Sequence, residues 1–145
     1  MFNRILVAIN GTPQCDEVLE LAIKVAAPTS ELYVVCVIAT EYSAPTLESQ
    51  DASPAARREQ MRSEAIIAKA RNHLEARNIN TTARVIQGVP EQAIYVHARE
   101  NSCDLIVMGH HHLSTFERVV GNSVAYSVLE NASCPILVEV GKQTR

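Results

Sequence analysis

Tryptophan is absent from the 145-residue sequence, and aromatic residues of all kinds make up only 4% of it. A surface that binds nucleic acid needs a basic face with interleaved aromatic side chains. The net charge is −3, and the one local basic cluster, Arg57, Arg58 and Arg62, is balanced by Glu59 and Glu64. The sequence therefore argues against nucleic acid as a partner.

Long apolar runs are also missing. A membrane-spanning helix needs roughly 20 consecutive apolar residues, and no window of the sequence approaches that length. The first apolar run, Ile5–Ile9, is too short for the core of a signal peptide and fits a first β-strand instead. We therefore expect no membrane partner, a mature chain that begins at Met1, and a cytoplasmic protein.

The sequence also lacks paired cysteines and the common catalytic motifs. Cys15, Cys36, Cys103 and Cys134 form no C-x-x-C pair and show no zinc spacing, and Cys36, within an apolar run, is predicted to be a buried reduced thiol. There is no P-loop, no G-x-G-x-x-G fingerprint and no G-x-S-x-G nucleophile elbow. We expect no catalytic residues and no resident metal.

What the sequence does contain is an alternation of short apolar runs and helical patterns. Strands are predicted at Ile5–Ile9, Leu32–Ile38, Thr82–Ile86, Asp104–Met108 and Pro135–Val140, and helices from Pro13 to before Pro28, at Ala55–Arg77, at Pro90–Glu100 and at Ser123–Asn131. This pattern predicts a single α/β domain over residues 1–145, with a five-stranded parallel sheet and helices on both faces. The polar residues 40–53 are predicted to form a loop, and whether that loop acts as a lid stays open.

The stretch with the strongest functional signal follows the fourth predicted strand. Gly109 ends that strand, three histidines come next, and Gly121-Asn122-Ser123 opens the last predicted helix. Glycines allow a ligand to approach the backbone, and the start of a helix offers unpaired N–H groups and a positive dipole end. The pattern indicates an anion-binding loop, and the alternative is an ordinary strand-to-helix connection with a helix cap.

Three segments together resemble the universal stress protein family. They are ILVAINGT at the start, Gly88-x-Pro90 with Ile94 following, and DLIVMG…GNSV…CPILV towards the end. The resemblance covers essentially the whole chain and implies the strand order 3-2-1-4-5. It also implies a homodimer joined through the edge strand Pro135–Val140. In one branch of the family it implies binding of ATP or AMP, with magnesium left open.

The family's nucleotide motif, Gly-x-x-Gly followed after about nine residues by Gly-Ser or Gly-Thr, maps onto the stretch after strand four. Gly109 matches the first glycine, His112 stands at the second, and eight residues separate His112 from Gly121. The base-side residues of the family map onto the first two strands. The implied binding set is Ala8, Ile9, Asn10, Val37, Met108, Gly109, His111, His112, Gly121, Asn122, Ser123 and Val124.

The chain departs from the family pattern at two places. Asn10 replaces the usual aspartate, which keeps hydrogen-bonding capacity but removes a charge that could assist a metal. Gly109-His110-His111 resembles the branch that does not bind nucleotide, although that branch lacks the following Gly-x-Ser. A zinc site at residues 110–112 is disfavoured, because consecutive side chains cannot all point one way.

Three functions follow from these observations. The leading one is a nucleotide-dependent regulatory module, in which a bound adenine nucleotide changes the surface shown to an unidentified protein partner. The second is a dimeric interaction module that binds no nucleotide. The third is a slow nucleotide hydrolase with a histidine as base, which the missing carboxylate at position 10 disfavours.

Overall fold

The computed structural model of the chain describes residues 1–39, 53–109 and 124–140. The strands are β1 (Phe2–Ile9), β2 (Ala26–Ala39), β3 (Asn80–Gly88), β4 (Leu105–Gly109) and β5 (Ile136–Glu139), and the helices are α1 (Cys15–Val25), α2 (Pro54–Glu75), α3 (Pro90–Glu100) and α4 (Val124–Asn131). All strand pairs are parallel, in the order β3-β2-β1-β4-β5. The predicted fold class and strand order are confirmed.

The centre of the sheet is β1, which pairs with β2 on one side and β4 on the other. Residues Ile5–Ile9 are each exposed by 2% or less. Ile5, Val7 and Ile9 belong to the core on one face, while Leu6 and Ala8 belong to the core on the other. A strand that is buried on both faces needs a continuous apolar run, and the sequence supplies one.

In the part of the chain that the structure describes, two helices cover each face of the sheet. The core on the first face contains Val18, Leu19 and Ala22 of α1 and Ile67, Ala70 and Leu74 of α2. The core on the second face contains Ala93, Ile94 and Ala98 of α3 and Val128 of α4. Among the described residues, none of these helices is both long and apolar enough to span a membrane.

The first helix starts two residues later than predicted. Its first residue is Cys15 rather than Pro13, because the Asn10 side chain and the Thr12 carbonyl bond the backbone into a turn first. The i, i+3, i+4, i+7 spacing of Val18, Leu21, Ala22 and Val25 predicts the buried stripe of this helix, whereas the structure buries Val18, Leu19 and Ala22. Leu19 is 2% exposed and belongs to the core on the first face, whereas Leu21 is only half-buried.

The second strand begins six residues earlier than predicted, at Ala26 instead of Leu32. Its first part is irregular, because Phe2 pairs with Ala26 while Arg4 pairs with Glu31. The Ser30 hydroxyl bridges this irregular stretch, donating to the Phe2 carbonyl and accepting from the Ala27 N–H. The apolar run therefore marks only the regularly paired part of β2.

The strand order fixes where the winding of the chain reverses. From β1 the sheet extends to β2 and β3 on one side and to β4 and β5 on the other. The helix that follows β1 packs on the first face, and the helix that precedes β5 packs on the second. In parallel α/β sheets, ligands bind in the crevice that this divergence opens outside the carboxyl ends of the strands.

We predict that Leu74→Ala lowers the free energy of unfolding by about 2–5 kcal/mol, because Leu74 is fully buried between α2 and the sheet and its loss leaves a cavity. Met61→Ala on the same helix is the control. Met61 is 70% exposed, so we expect a change of about 0.5 kcal/mol or less. Urea denaturation of both variants measures the difference, and equal stabilities would contradict the described packing of α2.

Candidate functional site

The carboxyl ends of β1 and β4 lie side by side. Ala8 pairs with Met108 in the register of the two strands, and both residues are buried. Asn10 follows the last residue of β1, and Gly109 is the last residue of β4. Two residues that the sequence places almost 100 positions apart therefore stand at neighbouring strand ends, where the winding reverses.

Asn10 shapes the turn that follows β1. Its side-chain oxygen Oδ1 accepts a hydrogen bond of 3.2 Å from the Thr12 N–H, and the Thr12 carbonyl accepts one of 3.0 Å from the Cys15 N–H. Asparagine side chains favour such turns because they can bond to the backbone two residues on. The amide at position 10 thus has a local structural role that does not need a negative charge.

Gln14 connects this turn to the edge of the sheet. Its side chain is almost fully buried, and Nε2 donates a hydrogen bond of 2.7 Å to the backbone carbonyl of Glu139 in β5. On its way it passes Gly109 closely. A methyl group on Gly109 would lie 2.8 Å from Gln14 Oε1 and 3.0 Å from Val18 Cγ2. Position 109 therefore has no room for a side chain, and no sequence pattern marks Gln14 as its neighbour.

Val37 stands near the carboxyl end of β2, two residues before the last residue of that strand. Cys36 pairs with Ile9, so one further step of the register brings Val37 beside Asn10. The side chain of Val37 is half-buried and packs on the face of the sheet that α3 covers. Val37 of β2, Asn10 after β1 and Gly109 of β4 thus form a row across three neighbouring strands, which is staggered by one position at β4 because Met108 pairs with Ala8.

The structure brings together half of the predicted binding set. These residues are Ala8, Ile9, Asn10, Val37, Met108 and Gly109. Val124 is the first residue of α4. The remaining members, His111, His112, Gly121, Asn122 and Ser123, lie outside the described residues, as do most of the predicted 40–53 loop, His110 and the tail after Val140. The phosphate side of the predicted site therefore stays a prediction.

The cavities on the two sides of the turn after β1 differ in volume. Between the turn and Gly109 there is about 10 Å³, which is too little for more than a single water molecule. A ligand at this place has to lie outside the strand ends rather than between them. On the other side of the turn, between α1 and α2, a cavity of about 240 Å³ is lined by Leu19, Ile66, Ala70 and Lys69 among others.

The cysteines near the site are not activated nucleophiles. Burial, together with the neighbouring Asp16 carboxylate, raises the pKa of the Cys15 thiol to about 11. Burial also raises the pKa of Cys36, which is a free and buried thiol as predicted. A raised pKa keeps both thiols protonated near neutral pH, and the protonated form is the poor nucleophile. The described part of the chain contains no group of three potential metal ligands.

Comparison with known proteins identifies the family. The profile of the universal stress protein family matches residues 1–139. The chain belongs to this family. Two curated relatives support the assignment, the first of which is the universal stress protein MJ0531 of Methanocaldococcus jannaschii. It is 36% identical over 70 residues, which is 48% of this chain and 41% of the relative. The chain therefore spans less than half of that relative's length.

The second relative is matched along nearly its whole length. The universal stress protein YxiE of Bacillus subtilis is 26% identical over 146 residues, covering 95% of this chain and 99% of the relative. Solved structures share the fold. Hypothetical protein MJ0577 has a TM-score of 0.79 at 19% identity, with 99% of each chain covered.

Two further structures with the universal stress protein fold were solved with a nucleotide. One is a universal stress protein in complex with cAMP, with a TM-score of 0.71, 19% identity and coverage of 94% of this chain and 95% of the other. The other is the universal stress protein of Archaeoglobus fulgidus in complex with dAMP, with a TM-score of 0.65, 18% identity and coverage of 94% and 96%. At these identities the likeness shows the shared fold.

We predict that Gly109→Ala lowers the free energy of unfolding by about 1–3 kcal/mol, because the new methyl group overpacks against buried Gln14 and Val18. Gly11→Ala is the control. A methyl group there would meet chiefly the flexible end of Arg62, so we expect a change of about 0.5 kcal/mol or less. Thermal or urea unfolding compares the two, and a Gly109→Ala protein as stable as wild type would refute the close passage of Gln14.

Proposed function

We propose that this universal stress protein binds an adenine nucleotide across the carboxyl ends of β2, β1 and β4 and acts as a nucleotide-dependent regulatory module. The observation that carries the proposal is the row of Val37, Asn10 and Gly109 near the carboxyl ends of three neighbouring strands, at the point where the winding reverses. This is the place where parallel α/β sheets bind their ligands.

In the proposed complex, the base lies over β1 and β2 and the phosphates lie towards α4. Asn10 and the backbone of Ala8 and Ile9 would meet the base and ribose, beside Val37 and Met108. Gly109 would let the ligand approach bare backbone. The amides of Gly121, Asn122, Ser123 and Val124, with His111 and His112, would surround the phosphates, because the start of a helix favours anions.

The nucleotide complexes of neighbouring structures support the choice of ligand. A universal stress protein was solved with cAMP, and the Archaeoglobus fulgidus protein was solved with dAMP. Both ligands carry an adenine base and a single phosphate group. We therefore propose AMP or ATP as the ligand for this chain.

The proposed role is regulatory rather than enzymatic. Phosphoryl transfer needs carboxylates that hold metal ions beside the phosphates, and position 10 carries an amide. Bound nucleotide would instead favour one conformation of the surface that meets a protein partner in the cytoplasm. Such a shift requires that the two conformations bind the nucleotide with different affinity.

We predict that ATP, ADP and AMP each bind with saturable heat in calorimetric titration and raise the melting temperature at millimolar concentration. Ser123→Ala should weaken binding of these nucleotides about tenfold, because a hydrogen bond to a charged phosphate is lost, and should leave adenosine binding unchanged. Ser127→Ala, on α4, is the matched control and should bind as wild type does. Absence of heat and of any thermal shift with all three nucleotides would refute the proposal.

We also propose a homodimer through β5, for which the edge of the sheet is the supporting observation. β5 is a four-residue strand at the edge, and its residues are all only half-buried, whereas the residues of β4 are all buried. Nearby, Tyr126 and Leu129 of α4 are 58% and 57% exposed. Val140 after β5 is exposed too. An apolar sheet edge that is left unpaired is prone to association.

We predict a dimeric mass for the wild-type protein in light scattering at micromolar concentration. The double variant Leu129→Lys and Val140→Lys should be monomeric, because a two-fold axis brings like charges together and buries them. Met61→Lys places one such charge on an exposed apolar residue of α2, away from β5, and should stay dimeric. A wild-type monomer, or a double variant that is still dimeric, would contradict this interface.

A further inference from the structure

Arg62 reaches from α2 to the turn after β1. A methyl group on Gly11 would collide with Arg62 Nη2 and would lie 3.0 Å from Ile66 Cδ1, so the guanidinium rests directly on the glycine backbone. Gly11 directly follows Asn10, the central residue of the row at the strand ends. Arg62 therefore places a positive charge at the edge of the proposed nucleotide site, although α2 carries none of the family's nucleotide-binding motif.

The guanidinium is held there only loosely. Its one ion-pair partner within the described residues is Glu59, with 3.3 Å between Nη1 and Oε1. The side chain of Arg62 is 54% exposed, and that of Glu59 is 30% exposed. Exposed ion pairs of this kind contribute little to stability. Breaking the pair with Glu59 so that the guanidinium can contact a ligand therefore costs little free energy.

Arg62 belongs to α2, which packs on the first face of the sheet in the same core as Cys36 of β2. Its charge acts on Cys36 of β2, where burial raises the pKa of the thiol and the Ser63 hydroxyl and the Arg62 charge act against that rise. Cys36 pairs with Ile9 and precedes Val37. The proposed phosphate side, by contrast, adjoins Gly109 and the start of α4. Val37 packs on the second face, so Arg62 and Val37 flank the ends of β1 and β2, where the proposed base lies, from opposite faces of the sheet.

We infer that Arg62 is a specificity-determining residue of this site and that its guanidinium contacts the purine base of the bound nucleotide. The inference rests on the proposed nucleotide-binding function. A guanidinium is planar, stacks on aromatic rings and carries five N–H donors without an acceptor. A purine offers an aromatic face and ring nitrogens that accept hydrogen bonds, so the two groups are complementary.

The base contact makes a prediction that a phosphate contact does not. Adenosine, AMP and ATP share the base, so Arg62→Ala should weaken all three by the same factor, about 5- to 30-fold in calorimetric titration. Arg62→Lys keeps the positive charge but removes the planar guanidinium, so it should lose most of the affinity that Arg62→Ala loses. Arg58→Ala removes a positive charge from an exposed position one turn earlier on α2 and should bind as wild type does.

A double-mutant cycle with Gly11 tests the contact itself. Gly11→Ala should displace the guanidinium and weaken binding of adenosine, and the same change in an Arg62→Ala background should have no further effect. The melting temperature of each ligand-free variant, compared with wild type, separates this loss from a loss of folding.

The outcomes distinguish the inference from the function on which it rests. If wild type binds nucleotide and Arg62→Ala binds it equally well, the inference is wrong and the nucleotide function stands. A loss that grows from adenosine to ATP, or an Arg62→Lys variant that binds as wild type does, also overturns the base contact, because both results indicate attraction of charge alone. If wild type binds none of the three ligands, both the function and the inference are wrong.

Discussion

The burial of β1 on both faces is the constraint from which the rest of the architecture follows. Five consecutive residues, Ile5–Ile9, are almost inaccessible to solvent, and each gains its burial from a neighbouring strand and a helix above or below. A strand so covered can carry no polar side chain along this stretch. Polar chemistry begins where the strand ends, at Asn10, and there the neighbouring strands supply the other walls of the crevice.

Much of the architecture could be predicted from local patterns in the sequence. Continuous apolar runs indicated the buried strands. The spacing of Ile66, Ile67, Ala70 and Leu74 indicated the inner face of α2, and the structure buries all of these except Ile66, which is half-buried. Pro90 marked the start of α3 at the residue where that helix begins. These patterns are informative because a helix or strand that is buried on one or both faces needs apolar residues at regular positions. That regular spacing is visible in the sequence.

The contacts that shape the candidate site leave no such period. Gln14 meets Glu139 across 125 positions of sequence, and Arg62 meets Gly11 through the packing of a helix against a turn. The early start of β2 is accompanied by a serine that bonds to β1. Each of these is a single contact between residues that are distant in sequence, so no apolar run and no regular spacing predicts it. The glycines were visible in the sequence, but which side chain each one accommodates was not.

The bond between Gln14 and Glu139 ties the outermost strand to the middle of the molecule. The glutamine side chain starts in the turn beside Asn10, crosses the end of β4 where Gly109 leaves it room, and ends on the backbone of β5. Sliding of β5 along its axis would have to break this link or drag the turn with it. The turn beside the crevice is therefore bonded directly to the rim of the sheet, although β4 lies between them.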